Sequence, residues 1–159
     1  MFQPAGRRIS ETVDCCSENL RVETLSLRVQ AMPGAFYHVW FSTKMRKIAL
    51  VDEIGVEAKR LLKEVAARAS IQLLEMETAI DHVHLLIGLE PEQALSSAMH
   101  QLKGATSRYI FLRFPELKTD LGHNSFWQKG YGFRRLDPTE ISDVRHYIRT
   151  QGARPLRHI

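Results

Sequence analysis

Cysteine is nearly absent from this 159-residue chain, and the only two, Cys15 and Cys16, are neighbours. Adjacent cysteines lack the spacing of a zinc-binding pair, and a bond between them is geometrically strained. Any core must therefore form without disulfide staples, which a chain of this length can do as one domain. Long apolar runs are missing too: no segment approaches the roughly 20 residues of a membrane span. The N-terminus lacks the apolar stretch of a secretory signal, so a cytoplasmic protein with no membrane partner is expected. Charge of one sign is also modest. A net charge of +4 is mild for a nucleic-acid binder and says little until the basic residues are placed.

Residues 1–31 show no sustained hydrophobic period and are expected to be a flexible extension or a misassigned start, leaving 32–159 as a single domain. Ala35 to Ser42, dense in aromatic and β-favouring residues, reads as a first strand with a basic exit loop at Thr43 to Lys47. Ile54, Ala58, Leu61, Leu62, Val65 and Ala69 follow helical spacing across Asp52 to Ser70. Ile71 to Thr78 alternates as a second strand, a short turn follows, and His82 to Leu89 forms the third. A second helix is expected from Pro91 to Pro115, with Gly104 inside it lowering stability by about 1 kcal/mol relative to alanine. Phe126 to Arg135 reads as a fourth strand with a glycine bulge. The last helix is well punctuated: Asp137 suits the N-cap, Pro138 the first turn, Glu140 completes a capping box, and Gly152 can close the end. This order is the split βαβ pattern of an α+β, ferredoxin-like βαββαβ sandwich with an additional C-terminal helix.

His82 and His84 flank one apolar residue in a run that otherwise reads as buried strand. Alternation along a strand sends both imidazoles to one face, with Val83 and the preceding Asp81 on the other. Far downstream, Tyr147 and Gln151 lie four apart, so they share one flank of the terminal helix beside the buried stripe of Ile141, Val144 and Ile148. An oxygen ligand from Gln151 added to the two imidazoles leaves positions open for water and a phosphate, as a catalytic Mg²⁺ or Mn²⁺ site requires. A divalent ion of that kind polarises a phosphodiester and lets the Tyr147 phenol attack phosphorus. The resulting phosphotyrosine retains the energy of the broken bond, so a DNA 3′-OH can reseal it without ATP.

The remaining histidines are less telling. His38 sits in an aromatic strand and reads as structural, while His100, His123, His146 and His158 have no partner at a meaningful spacing. Trp127, Tyr131 and Phe133, interleaved with Lys129, Arg134 and Arg135, are candidates to stack bases and follow a phosphate backbone, with part of that set expected in the core. Arg145 and Arg149 are four apart on the terminal helix, off the Tyr147 face, and are candidates for phosphate contact.

Five segments in order give the chain a family likeness: Tyr37-His38-Val39-Trp40-Phe41-Ser42-Thr43-Lys44 with Arg46; Asp81-His82-Val83-His84-Leu85-Leu86; Leu102-Lys103-Gly104 with Ser107-Arg108; Phe126-Trp127 with Gly130-Tyr131; and Tyr147-Ile148 with Gln151. Across residues 35–151 the chain resembles the HUH-type single-tyrosine transposases of small insertion sequences, including the REP-associated tyrosine transposases. The resemblance implies a ferredoxin-like fold and a homodimer with active sites that can be shared between protomers. It implies Mg²⁺ or Mn²⁺ held by His82, His84 and Gln151, and a Tyr147 nucleophile that cleaves single-stranded DNA at hairpin-bearing element ends, leaving a 5′-phosphotyrosine and a free 3′-OH. Lys44, Arg46, Lys103, Arg108, Lys129, Tyr131, Arg134, Arg135, Arg145 and Arg149 are the expected DNA contacts. The extension before Met32 and the short segment after Gln151 depart from the pattern. Two other readings compete: a non-catalytic module that only binds hairpin DNA, and an HUH replication-initiation nickase.

Overall fold

The computed structural model describes residues 33–122 and 125–151. The expectations for 1–31, Cys15, Cys16, His123, Gly152 and His158 lie outside the described residues. The elements run β1 (Ala35–Ser42), α1 (Asp52–Arg68), β2 (Gln72–Thr78), β3 (His82–Leu89), α2 (Leu95–Arg113), α3 (Leu117–Leu121), β4 (Gly132–Leu136) and α4 (Ile141–Gln151). The four strands form one sheet in the order β2-β3-β1-β4, with every neighbouring pair antiparallel. That is the arrangement expected of two interleaved βαβ units.

The sheet has two different faces because alternate residues of each strand point opposite ways. Val39, Phe41, Val83, Leu85 and Ile87 are buried and join Ala58, Leu61, Leu62 and Val65 of α1 with Ala98, Met99, Leu102 and Ile110 of α2 in the main core. On the opposite face Leu86 and Leu136 form a smaller cluster with Val144 and Ile148 of α4. In the antiparallel register His38 stands opposite Leu86 and Arg134, Trp40 opposite His84 and Gly132, and Ser42 opposite His82. All of these share the α4 face, so one short helix covers part of that face and leaves a polar remainder beside it.

Four expectations need correction. The fourth strand is confined to Gly132–Leu136 rather than starting at Phe126. Upstream, the Lys103 amine donates to the carbonyls of Gln128 and Gly130, and Gly130 adopts a left-handed φ of 85°, which removes that stretch from ladder pairing. Phe126 and Trp127 are instead core side chains, 0% and 1% exposed, with a single bridge from Trp127 to Thr43. The second helix starts at Leu95, not Pro91, because Pro91 follows Glu90 in a turn closed by a Gln93 N–H to Glu90 carbonyl bond of 3.0 Å. Strand β2 does not alternate strictly. A register shift between Leu73 and Glu75 lets Leu73 pair with Ile87 and Met76 with Leu85, so both serve the main core. Finally, α3 was not expected. Its signal is the four-residue spacing of buried Leu117 and Leu121, followed by Gly122 in the left-handed C-cap position.

The start of the terminal helix is as expected in detail. Asp137 accepts from the Thr139 N–H at 3.0 Å, and the Glu140 carboxylate accepts from the Asp137 N–H at 2.9 Å. Pro138–Glu140 forms a 3-10 turn that runs directly into α4.

Candidate active site

Strand β3 delivers His82 and His84 to the α4 face with ring centroids 5.1 Å apart and planes nearly perpendicular at 82°. Between them Val83 is fully buried in the main core, so the strand cannot slip by one residue without exposing it. Helix α4 places the Tyr147 ring edge-on to His84 at a centroid distance of 6.1 Å within the same chain. Tyr147 is 39% exposed. Tyr147 and His84, remote in sequence, are therefore neighbours in the fold. Gln151 follows one turn later on the same flank, and its amide nitrogen is buried without a hydrogen-bond partner.

Two residues join the site that sequence reasoning placed elsewhere. His38, expected to be structural, is buried on β1 with its Nε2 3.0 Å from Nδ1 of His84, and its ring lies 5.9 Å from Tyr147. The antiparallel register puts its strand beside β3, and no feature of β1 alone reveals that pairing. Asp81, expected on the far face, precedes β3 in the turn and is free of its alternation. The His82 Nδ1–H donates to Asp81 Oδ1 at 2.6 Å, and the Arg46 guanidinium donates to Asp81 Oδ2 at 3.3 Å. Arg46 approaches from a tight turn in which Met45 and Arg46 have φ of 55° and 51°, conformations costly for side chains of this kind. The turn is held by Gln128 Oε1, which accepts from the Met45 N–H at 2.9 Å, and by Thr43 Oγ1, which donates to the Lys47 carbonyl.

The electrostatics favour the neutral form of His84 and of His38. Burial, followed by the charges of His82 and His38, pushes the His84 pKa down to about 4. Burial and the Arg134 charge lower His38 as well. Burial alone would raise the Asp81 carboxyl, but its bond and charge pairing with His82 and with Arg46 together hold it below the usual range. Among the described residues no third histidine, cysteine or carboxylate completes a ligand cluster with the pair. A third protein ligand must then be of another type. The carboxamide oxygen of Gln151 is a group of that type, and two imidazoles beside an open pocket are a donor set compatible with a divalent ion.

The predicted DNA contacts divide into several groups. A pocket of about 350 Å³ beside the imidazoles is lined by Trp40, Arg46, His82, His84, Lys129 and Tyr131. A larger groove of about 890 Å³ runs between α2 and the 125–131 loop, with Lys44, Lys103, Arg108, Lys118, Lys129 and Tyr131 among its lining. Gln128, Lys129, Gly130 and Tyr131 border both, so groove and pocket adjoin along that loop. Lys103 turns inward to the loop carbonyls, and burial lowers its pKa. Arg134 and Arg135 point to opposite faces of β4; Arg134 also pairs with Glu140 at 3.1 Å. Arg145 and Arg149 lie at 3.9 and 2.7 Å from Glu75 of β2, away from the groove lining. Trp127 is unavailable for base stacking because it is a core residue whose indole N–H donates to Thr106 Oγ1 at 2.8 Å.

Fold and site together define a four-stranded α+β protein with two imidazoles and a phenol gathered on the sheet face that α4 only partly covers. Residues 31–151 match the profile of the IS200-like transposases. The chain belongs to the IS200-like transposase family, proteins of mobile elements and DNA recombination. It is 32% identical to the ISDra2 transposase TnpA of Deinococcus radiodurans over 115 residues, covering 72% of this chain and 82% of that protein. It is also 32% identical over 95 residues to the transposase of insertion sequence element IS200 of Salmonella typhimurium, covering 60% of this chain and 62% of that one. Among solved structures, a Deinococcus radiodurans protein described as a transposase superimposes with a TM-score of 0.60 at 32% identity, covering 73% of this chain and 89% of that chain. A REP-associated tyrosine transposase bound to a REP hairpin shares the fold with a TM-score of 0.52 at 15% identity, covering 74% of this chain and 64% of that chain.

Proposed function

We propose that this chain is a prokaryotic, cytoplasmic, metal-dependent transposase that cleaves and rejoins single-stranded DNA at hairpin-bearing element ends through a 5′-phosphotyrosine on Tyr147. The observation that carries the reading is the approach of the Tyr147 ring to His84, 6.1 Å between centroids, in one chain. His82, His84 and Gln151 would hold Mg²⁺ or Mn²⁺. When bound, the ion neutralises charge on the phosphodiester and steadies the leaving oxygen.

The chain's own groups do the rest. The Tyr147 oxygen attacks phosphorus and loses its proton as the bond to phosphorus forms. The bond to the 3′ oxygen breaks, and that oxygen leaves as a protonated 3′-OH. Joining is the same step reversed, with a second 3′-OH displacing the phenol, so no outside energy source enters. Arg46 and Lys129 border the pocket beside the imidazoles and provide positive charge for the scissile strand. Lys44, Arg108 and Lys129 along the adjoining groove provide it for flanking DNA, and Tyr131 supplies an aromatic surface. A homodimer belongs to the same proposal: β4 is an edge strand, and its Phe133 is 54% exposed, an apolar residue suited to cover by a second copy.

The test uses a hairpin oligonucleotide labelled on the 3′ side of the scissile phosphate. With Mg²⁺ or Mn²⁺ the label should become covalently attached to the full chain, and chelator should prevent it. Tyr147→Phe should abolish attachment while hairpin binding persists. An adduct of undiminished yield in that variant overturns the assignment of the nucleophile. Hairpin binding that is salt-sensitive, indifferent to chelator and never covalent supports the non-catalytic module instead.

A further inference from the structure

Each imidazole of the candidate ion site has its Nδ1 occupied by a different partner. His82 is tied to the Asp81 carboxylate at 2.6 Å, and His84 faces Nε2 of His38 at 3.0 Å. A neutral imidazole carries one proton, so a ring that donates from Nδ1 presents the lone pair on Nε2. For His82 the acceptor is a carboxylate, which can only receive, and the choice is settled. For His84 the facing group is another imidazole, and two arrangements are open. Either His84 donates to His38, leaving the Nε2 of His84 available as a ligand, or His38 donates to His84, leaving that nitrogen protonated and useless for coordination.

We infer that His38 is a positioning residue whose Nε2 accepts the Nδ1–H of His84 and thereby turns the Nε2 lone pair of His84 toward the ion. The inference rests on the assignment of His82 and His84 as ligands. Ordering a ligand histidine by a hydrogen bond to its second nitrogen is a general device, usually with a carboxylate or carbonyl as acceptor. Here the two ligands are ordered by unlike partners, a charged one from the β2–β3 turn and a neutral one from β1. His38 suits the second role because it is buried and meets His84 edge to edge, with planes inclined by only 29°.

The experiment titrates the full chain with Mn²⁺, read by electron paramagnetic resonance, in parallel with two-bond ¹⁵N correlation spectra of the histidines without metal. His84→Ala should abolish binding. His38→Phe keeps a ring of similar size but no acceptor, and should weaken Mn²⁺ by about 10- to 100-fold. His38→Gln places a carboxamide oxygen near the lost Nε2 and should restore most of that loss. In the native chain the metal-free spectrum should show His84 as the Nδ1–H tautomer, and this population should fall in His38→Phe. If the native chain binds no Mn²⁺, or His84→Ala binds it equally well, the ligand assignment fails and the inference falls with it. If the native chain binds and His84→Ala does not, unchanged affinity in His38→Phe overturns the role of His38 alone. Equal losses in His38→Phe and His38→Gln also overturn it, because a role other than accepting a proton would then be at work. A native spectrum showing His84 protonated on Nε2 does the same without any variant.

Discussion

At the residue scale, close packing beside the site makes single atoms matter. A Cβ added at Gly132 would come within 2.2 Å of the Trp40 indole, so glycine is required for the ring to lie flat across β4. Trp40 is 39% exposed and has room to swing outward, and its centroid is 5.0 Å from that of His38. Gly132→Ala should therefore cost about 1–3 kcal/mol of stability and shift the fluorescence of Trp40 to longer wavelength. Trp127 is buried and should contribute an unchanged blue component, so an unaltered spectrum would refute the displacement. A second residue-scale prediction concerns the core. Thr106 Oγ1 accepts from the Trp127 indole and donates to the Leu102 carbonyl at 2.7 Å. Thr106→Val leaves a buried indole N–H unpaired and should cost about 1–3 kcal/mol, measured by urea denaturation. The histidine pair was legible at this scale because two polar rings interrupt an apolar strand. His38 was not, since its meaning depends on which strand lies beside it.

At the scale of elements, helix α4 carries the proposed nucleophile and depends on its capping box. Bonds from the Thr139 backbone and hydroxyl hold the Asp137 carboxyl below its ordinary value of 3.8. A depressed folded-state pKa stabilises the fold at pH above the unfolded value, and the benefit is lost as pH falls through the folded value. Asp137→Ala should thus lower the thermal midpoint at neutral pH, with the gap to the native chain closing in acid below about pH 4. A gap that stays constant into acid would exclude the carboxylate as its source. The capping box was readable directly from Asp137, Pro138 and Glu140, because its partners are three residues apart. Strand β4 was misjudged at its start for the opposite reason. Lys103, more than twenty residues upstream, claims the carbonyls that a longer strand would have needed.

At the scale of the whole molecule, the two unlike faces of the sheet carry the main core on one side and the histidine–tyrosine cluster on the other, and the basic side chains of α2 divide by role on the core side. Arg108 lines the groove from α2 and is exposed, whereas Lys103 is turned into the protein. Arg108→Gln should reduce the slope of log affinity for hairpin DNA against log salt by about 1 while leaving the thermal midpoint in place. Lys103→Gln should instead lower the midpoint, because the 128–130 loop loses its anchor. A salt slope left unchanged by Arg108→Gln would mean that this residue does not bind phosphate as proposed. By itself the amino-acid order determined the succession of strands and helices, the histidines on a strand, and the tyrosine and glutamine on one helix flank, since each follows from periodicities of two or 3.6 residues. Only the tertiary structure decided that His38 meets His84, that Asp81 turns back to His82, and that Arg149 pairs with Glu75. The contacts of His38 with His84 and of Arg149 with Glu75 join residues far apart along the chain and depend on strand order and on the burial of the two faces. The adjacent Asp81 and His82 meet because the β2–β3 turn frees Asp81 from the alternation of the strand.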